Sequence, residues 1–171
     1  MTKFEKISYR QYREDRLPML DGAGDAESED LLRAEYDAIS LPQRGTAFSA
    51  GYDLRTPFDL VLKPGEEAVI PTGLRILMPG DLWLGIYIRS SLGFRYSVRL
   101  LNSTAVIDAD YAGADNEGHI KVGIYNGGRK ELSLRKGDAF AQGILQKYYL
   151  TDDDMPVKAR RTGGFGSTNS K

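Results

Sequence analysis

Near the C-terminus, Gly163-Gly164-Phe165-Gly166-Ser167-Thr168 sets one aromatic ring among glycines and hydroxyls, with Arg160 and Arg161 just upstream. Glycines expose backbone N–H groups and tolerate positive φ, which suits a loop wrapped around phosphate. The arginines offer planar, always-charged forks for phosphate oxygens. Phe165 presents a flat face on which a nucleobase can stack. The same stretch reads equally well as a disordered glycine-rich tail.

A second polar segment runs Asn102-Ser103-Thr104-Ala105-Val106-Ile107-Asp108-Ala109-Asp110-Tyr111. On a strand, residues two apart share a face, so Asn102, Thr104, Asp108 and Asp110 project together. Val106 interrupts that row and Tyr111 has the opposite parity, so a hairpin or bulge is required for all of them to meet one ligand. Two β-branched neighbours before Asp108 give it a rigid, partly desolvated perch, suited to a general base. The alternative is a strand ending in a solvated acidic turn. Arg89-Ser90-Ser91-Leu92-Gly93 combines a guanidinium, hydroxyls and amides at a strand end, either an anion pocket or a polar turn. Ala50-Gly51-Tyr52-Asp53-Leu54-Arg55 holds an acid and a base that otherwise form a weak surface ion pair. Gly137-Asp138-Ala139-Phe140-Ala141-Gln142 is a turn entering a strand, with Gln142 as a donor.

The elements that must position these groups are mostly short strands. Alternation of Phe58, Leu60 and Leu62 before the Lys63-Pro64-Gly65-Glu66 turn predicts one. Further strands are expected at 68–70, 74–78, 82–88, 98–101, 120–125 and 132–134, with one long strand over 139–150. Many strands at close spacing with few helical segments indicate an all-β antiparallel sandwich or jelly roll. Residues 1–40 differ. Ser8-Tyr9-Arg10-Gln11 reads as a capping box with Ile7 and Tyr12 as its hydrophobic staple. Leu32, Tyr36 and Ile39 place a second amphipathic helix at about 28–38. The expected organisation is a partly helical N-terminal extension (1–40), a β-barrel (41–150) and a C-terminal arm (151–171).

Composition narrows the chemistry. A length of 171 residues fits one domain, and 41% hydrophobic with 27% charged residues indicates a soluble globular chain. A net charge of −1 argues against a broad electrostatic grip on nucleic acid or an anionic membrane. The lack of cysteine removes thiolate nucleophiles, and a single histidine, His119, removes a multi-histidine zinc site. His119 is expected at the surface and Trp83 in the core. The longest clean apolar run, 82–88, is too short for a bilayer, and no secretory signal is read at the N-terminus, so the expected location is the cytoplasm.

In sequence and order, the segments at 50–54, 89–92, 106–111, 137–142 and 163–168 resemble the five motifs of the trimeric deoxyuridine triphosphate nucleotidohydrolases (dUTPases). The resemblance covers roughly residues 41–169. It implies a distorted antiparallel β-barrel of jelly-roll type and hydrolysis of dUTP to dUMP and pyrophosphate, which limits uracil incorporation into DNA and supplies dUMP for thymidylate synthesis. By the same resemblance, Asp108 would activate a water for in-line attack on the α-phosphorus. Tyr111 would pack on deoxyribose and exclude a 2′-hydroxyl, and Asn102 would read the uracil edge. Arg89, Ser90, Ser91 and Gln142 would hold the phosphates, with Ser90 beside the bond being broken. Asp53 would organise Arg89 and water near the metal. Phe165 and Gly166 would lie over the uracil, and Ser167, Thr168 and either Arg160 or Arg161 would clamp the γ-phosphate. Mg2+ would be held mainly by the triphosphate and waters, with no direct protein ligand. A homotrimer with shared sites is implied, without nucleic acid or membrane.

This sequence departs from the family pattern at Ala105, where glycine is usual, at Ala139, where arginine is common, and at Asp115-Asn116-Glu117-Gly118-His119, which reads as an insertion. Two other readings stay open: a deaminase acting on deoxycytidine triphosphate, and a nucleotide-sensing module that binds a protein partner.

Overall fold

The computed structural model describes residues 1–20, 26–155 and Gly163. The chain opens with strand β1 (Lys3–Lys6), helix α1 (Tyr9–Arg16), a 3-10 turn (Leu17–Met19) and helix α2 (Ala26–Asp37). Strands β2 (Gln43–Arg44), β3 (Tyr52–Arg55), β4 (Leu60–Leu62), β5 (Glu67–Pro71), β6 (Leu74–Leu77) and β7 (Leu82–Ile88) follow. Helix α3 (Ser90–Tyr96) leads into β8 (Val98–Leu100), β9 (Ala105–Asp108) and a 3-10 segment (Ala109–Gly113). The last strands are β10 (Lys121–Asn126), β11 (Leu132–Leu134) and β12 (Ala139–Lys147).

Among the described residues, every strand pairing is antiparallel. The largest sheet has the order β2-β3-β12-β7-β9, a second is β5-β10-β8, and β1-β6 and β11-β4 are pairs. The architecture is therefore all-β and of jelly-roll type, as the strand spacing predicts, with the described strands divided among separate sheets rather than joined in one closed ladder. Inward-facing residues follow the two-residue period: Val122, Ile124 and Asn126 on β10, and Leu74 and Ile76 on β6. Their burial, at about 25 cal/mol per Å² of apolar surface, is the main force holding the sheets face to face.

The first forty residues pack on this same core. Ser8 caps α1, its hydroxyl accepting the Gln11 N–H at 3.2 Å. Ile7 and Tyr12 are both buried, so the staple forms as read. Leu32 and Ile39 bring α2 and its exit into the same apolar cluster. The sequence reading missed β1, which pairs with β6 in the register Lys3↔Leu77 to Lys6↔Leu74. Between the helices, Arg16 donates from Nε and Nη2 to the two oxygens of Glu35, both at 3.1 Å, and its guanidinium lies 3.8 Å from the Phe58 ring centre.

Several expectations are corrected. The segment after Arg89 is a short helix, α3, rather than a polar turn, because Leu92 buries its side chain and draws the serines into a helical turn. The long final strand ends at Lys147, three residues short of Leu150. Trp83 is half-buried, not core, since it lies near the start of β7 with Leu84 as the inward residue. His119 is fully buried rather than exposed: its polar loop folds inward onto α1. No helix among the described residues is long and apolar enough to cross a membrane.

Candidate active site

The sheet β3-β12-β7 brings three of the motif segments together. Asp53 on β3 stands opposite Gln142 on β12, which stands opposite Tyr87 on β7. Paired residues share a sheet face, so Asp53 and Gln142 project to one side. Just beyond the end of β7, Arg89 enters the same space, its Nε 3.6 Å from Asp53 Oδ1. That is an ion pair rather than a hydrogen bond, and with side-chain exposures of 42% and 16% it contributes little stability. Its value is positional: it aims one cationic fork into the cleft.

Asp53, Arg89, Ser90 and Gln142 line an open cleft of about 360 Å³. The loop after β2 supplies the opposite rim, where the Thr46 and Ser49 hydroxyls lie 2.8 Å apart. The sequence reading missed these two hydroxyls, although their position between Gly45 and Gly51 was a usable signal. Gly51 leaves room for the Gln142 side chain: a Cβ there would stand 2.3 Å from Gln142 Oε1 and push that side chain aside. Ser91 is exposed on α3.

Asp108 and Asn102 lie elsewhere. The expected single polar row does not form, because β8 pairs with β10 and β9 with β7, so the two halves of the segment belong to different sheets. Asn102 is exposed in the turn between them, where Ser103 takes a left-handed φ of 60° and the Thr104 N–H donates to the Asn102 carbonyl at 2.6 Å. Asp108 ends β9 directly opposite Trp83. It is exposed, not desolvated, because β9 is the edge strand of its sheet and Val106 beside it is 53% exposed. Five residue steps of strand run from Trp83 to Ile88, so Asp108 sits about 16 Å along the sheet from the Arg89 end.

Tyr111 follows in the 3-10 segment and is 5% exposed. Its hydroxyl donates to the His119 carbonyl at 3.0 Å and accepts from Asn116 Nδ2 at 2.8 Å. The His119 ring is itself anchored: Nε2 accepts the Gly73 N–H at 2.9 Å and Nδ1 faces Asp15 Oδ2 at 2.6 Å. A backbone N–H only donates, so Nε2 is the bare nitrogen and Nδ1 carries the proton toward Asp15. Burial drives the His119 pKa below its ordinary value, against the opposing pull of the Asp15 carboxylate. Burial alone would raise Asp15, but hydrogen bonds from His119, Lys121 and Gln11 outweigh it and hold the carboxyl well below the usual range.

Arg160, Arg161, Phe165, Gly166, Ser167 and Thr168 lie outside the described residues. The sequence comparison covers them. Residues 37–169 match the family model for dUTPase, a span that includes all the motif segments. The chain belongs to the dUTPase family. It is 40% identical over 144 residues to the deoxyuridine 5'-triphosphate nucleotidohydrolase of Lactococcus lactis, covering 83% of this chain and 96% of that one. It is 34% identical over 144 residues to the enzyme of the same name from Maricaulis maris, covering 80% and 91%. Among solved structures, the dUTPase from Streptococcus mutans superposes with a TM-score of 0.64 at 29% identity, covering 88% of this chain and 98% of that chain. A dUTPase from a Staphylococcus aureus phage, whose structure is described with a structural Mg(II) ion, shares the fold at a TM-score of 0.57 and 20% identity, covering 70% and 90%. In this dUTPase, the cleft around Arg89 and the segment around Asp108 both fall within the span that matches the family model, and they stand apart on one chain.

Proposed function

We propose that this dUTPase hydrolyses dUTP to dUMP and pyrophosphate by direct attack of water on the α-phosphorus, in a site that neighbouring subunits complete. The observation that carries the shared site is the distance between Asp108 and the Arg89 cleft. A base must stand within hydrogen-bond reach of the water it deprotonates, and a gap of about 16 Å along the sheet exceeds that. A second copy that sets its exposed β9 edge beside the cleft supplies the missing carboxylate. Three copies related by a threefold axis make three equivalent sites, so the assembly proposed is a homotrimer.

In this reading Asp108 takes the water proton as the oxygen bonds to the α-phosphorus and the bridge to the β-phosphate breaks. Arg89 neutralises charge gathering on the departing pyrophosphate, and Asp53 holds Arg89 in place. Ser90 donates beside the breaking bond, while Ser91 and Gln142 hold phosphate oxygens. Phosphoanhydride cleavage needs position, charge neutralisation and one base, which this set supplies. None of these side chains is an activated nucleophile, which favours direct hydrolysis over a covalent intermediate.

The turn at 101–104 presents Asn102 and its backbone to the uracil edge, and Tyr111 walls off the 2′ position of the sugar. Phe165 and Gly166 cover the base, and Ser167, Thr168 and Arg160 or Arg161 close on the γ-phosphate. The cleft offers one carboxylate, on Asp53, beside the Arg89 guanidinium, hydroxyls and an amide, a set that fits a Mg2+ ion held by its own oxygen ligands rather than by the protein. Magnesium bound to the triphosphate would add charge neutralisation there, with Asp53 as its closest acidic support. The proposed setting is the cytoplasm, without nucleic-acid or membrane partners.

Mixing two inactive variants tests both parts at once. Asp108→Asn and Ser90→Ala chains, each silent for pyrophosphate release, are unfolded together and reassembled. Recovered activity on dUTP is the expected result, because mixed trimers contain sites that draw an intact Asp108 and an intact Ser90 from different chains. A mixture as silent as its parents overturns the shared site. A nucleotide panel completes the test: pyrophosphate release confined to dUTP among dUTP, dTTP, dCTP and UTP is expected, whereas ammonia release from dCTP would favour the deaminase reading.

A further inference from the structure

The five residues from Asp115 to His119 and the N-terminal helix form one hydrogen-bonded structure around Tyr111. Glu117 and Gly118 both take left-handed conformations, with φ of 58° and 73°, which turns the loop back on itself. Gly118 then lies so close to the preceding segment that a Cβ would stand 2.6 Å from Ala112 Cα and 2.8 Å from the Tyr111 carbonyl oxygen. Asn116 spans this turn. Its side-chain oxygen accepts the Gly118 N–H at 3.2 Å, its carbonyl accepts the His119 N–H at 3.1 Å, and its Nδ2 donates to the Tyr111 hydroxyl.

The loop is fastened to α1 at two points. Glu117 accepts the Ser8 N–H at 2.7 Å and the Ser8 hydroxyl at 2.5 Å, so the residue that caps the helix is also held by the loop. Asp15, near the other end of α1, accepts from His119 Nδ1 and from Lys121 Nζ at 2.8 Å. The Gly73 N–H fixes the ring from the β5–β6 turn. The His119 carbonyl that receives the Tyr111 hydroxyl is thus placed by contacts from α1 and from the β5–β6 turn.

We infer that Asp15, Asn116 and His119 are positioning residues for sugar discrimination: they lock Tyr111 as an unyielding wall against a 2′-hydroxyl. This rests on the reading of Tyr111 as the residue that meets the deoxyribose. Rejecting a ligand that is larger by one oxygen requires a clash, and a clash discriminates only if the wall cannot retreat by a fraction of an ångström. Close-packed, fully hydrogen-bonded surroundings supply that resistance. Through Ser8 and Asp15, the N-terminal segment acquires a role in substrate choice.

The experiment compares kcat/KM for dUTP and UTP, with melting temperature, in the full-length protein and in Asn116→Ala, Asp15→Ala, Asp15→Asn, Tyr111→Ala and Tyr111→Phe. Asn116→Ala and Asp15→Ala should each lower the dUTP:UTP preference about tenfold, mainly by raising activity on UTP. Asp15→Asn, which keeps an oxygen for His119 Nδ1–H, should retain most of the preference. Asn116→Ala should change nothing further when Tyr111 is already Phe, since the hydroxyl it acts on is gone. Asn116 is half-exposed, so its variant folds even if loss of Asp15 proves too disruptive. A preference unchanged in Asn116→Ala, alongside a collapse in Tyr111→Ala, overturns the lock and leaves the Tyr111 reading standing. A preference unchanged in Tyr111→Ala removes that reading and the lock with it.

Discussion

At the Ile88 end of β7, Arg89 is half-exposed beside Asp53, Ser90 faces solvent, and the cleft between them opens to water. Past the end of β9, Tyr111 and His119 are buried, and side chains from α1 and the 115–119 loop hold them. On the proposed reading of the site, the two regions solve different problems. A triphosphate arrives hydrated and highly charged, and groups that must exchange its water for direct contacts need access and mobile tips. A wall that tells hydrogen from hydroxyl needs immobility. Changes in the cleft should therefore move turnover or KM while stability holds, and changes around His119 should move stability and selectivity.

The largest expected effect lies with Asp108, which is exposed and stands outside both the cleft and the packed region around His119. Asp108→Asn keeps the shape and removes the basicity, so turnover should fall by roughly 10²–10⁴ with dUTP binding and melting temperature preserved. Pyrophosphate release under saturating dUTP measures it, and near-normal turnover would exclude Asp108 as the base.

Truncation after Arg161 should come next. Loss of Phe165 removes a stacking contribution of about 1–3 kcal/mol per base, seen as reduced turnover and weaker dUTP binding. Among the described residues, the core cluster and the side chains packed on it run no further than Leu145, so melting should be unchanged. Equal activity before and after truncation would mark the glycine-rich segment as a tail.

Gly51→Ala sharpens the description of the cleft. The new methyl displaces the Gln142 side chain, whose Oε1 it would approach to 2.3 Å. Loss of one hydrogen bond to a charged ligand, about 1.5 kcal/mol, corresponds to roughly a tenfold rise in KM for dUTP. Melting should move little, because a flexible side-chain end yields rather than backbone. A KM that does not change would place Gln142 outside the phosphate site.

The smallest effect is one of pH. His119 faces Asp15, Glu117 and Lys121, with the Tyr12 ring at 6.4 Å, and its pKa in the folded chain is depressed below the ordinary 6.5. The unfolded chain then binds the proton more readily, so this contribution is complete above pH 6.5 and is lost as pH falls below it. Asp15, also depressed, loses its contribution only as pH falls through its ordinary 3.8. Melting temperature should therefore decline between pH 7 and 5 in the unaltered protein and decline less in His119→Gln. Parallel slopes would show that another group governs this range.

Local punctuation made part of this molecule legible. Ser8 with Gln11, and the apolar run from Leu82 to Ile88, define α1 and β7 because capping and strand alternation act within a few residues. Helix α3 was hidden by Ser90, Ser91 and Gly93, weak helix formers that a buried Leu92 holds in place. The burial of His119 was illegible for a different reason. Its partner Asp15 lies 104 residues away, and no local pattern reports such a contact. The same holds for the site: residue types and order named Asp53, Arg89 and Asp108, but their separation depends on the register of β7 against β9 and β12.

The contacts of α1 also impose an order on how the chain can fold as it is made. Ser8 and Asp15 are synthesised well before their partners Glu117, His119 and Lys121, which follow 109, 104 and 106 positions later. At a synthesis rate of about 5–20 residues per second, that gap lasts roughly 5–20 s. A helix of eight residues does not hold itself together in water for such a time. The hydrogen bonds from α1 to residues 117–121 therefore form only once that later segment has been made, and the structure around Tyr111 closes at that point.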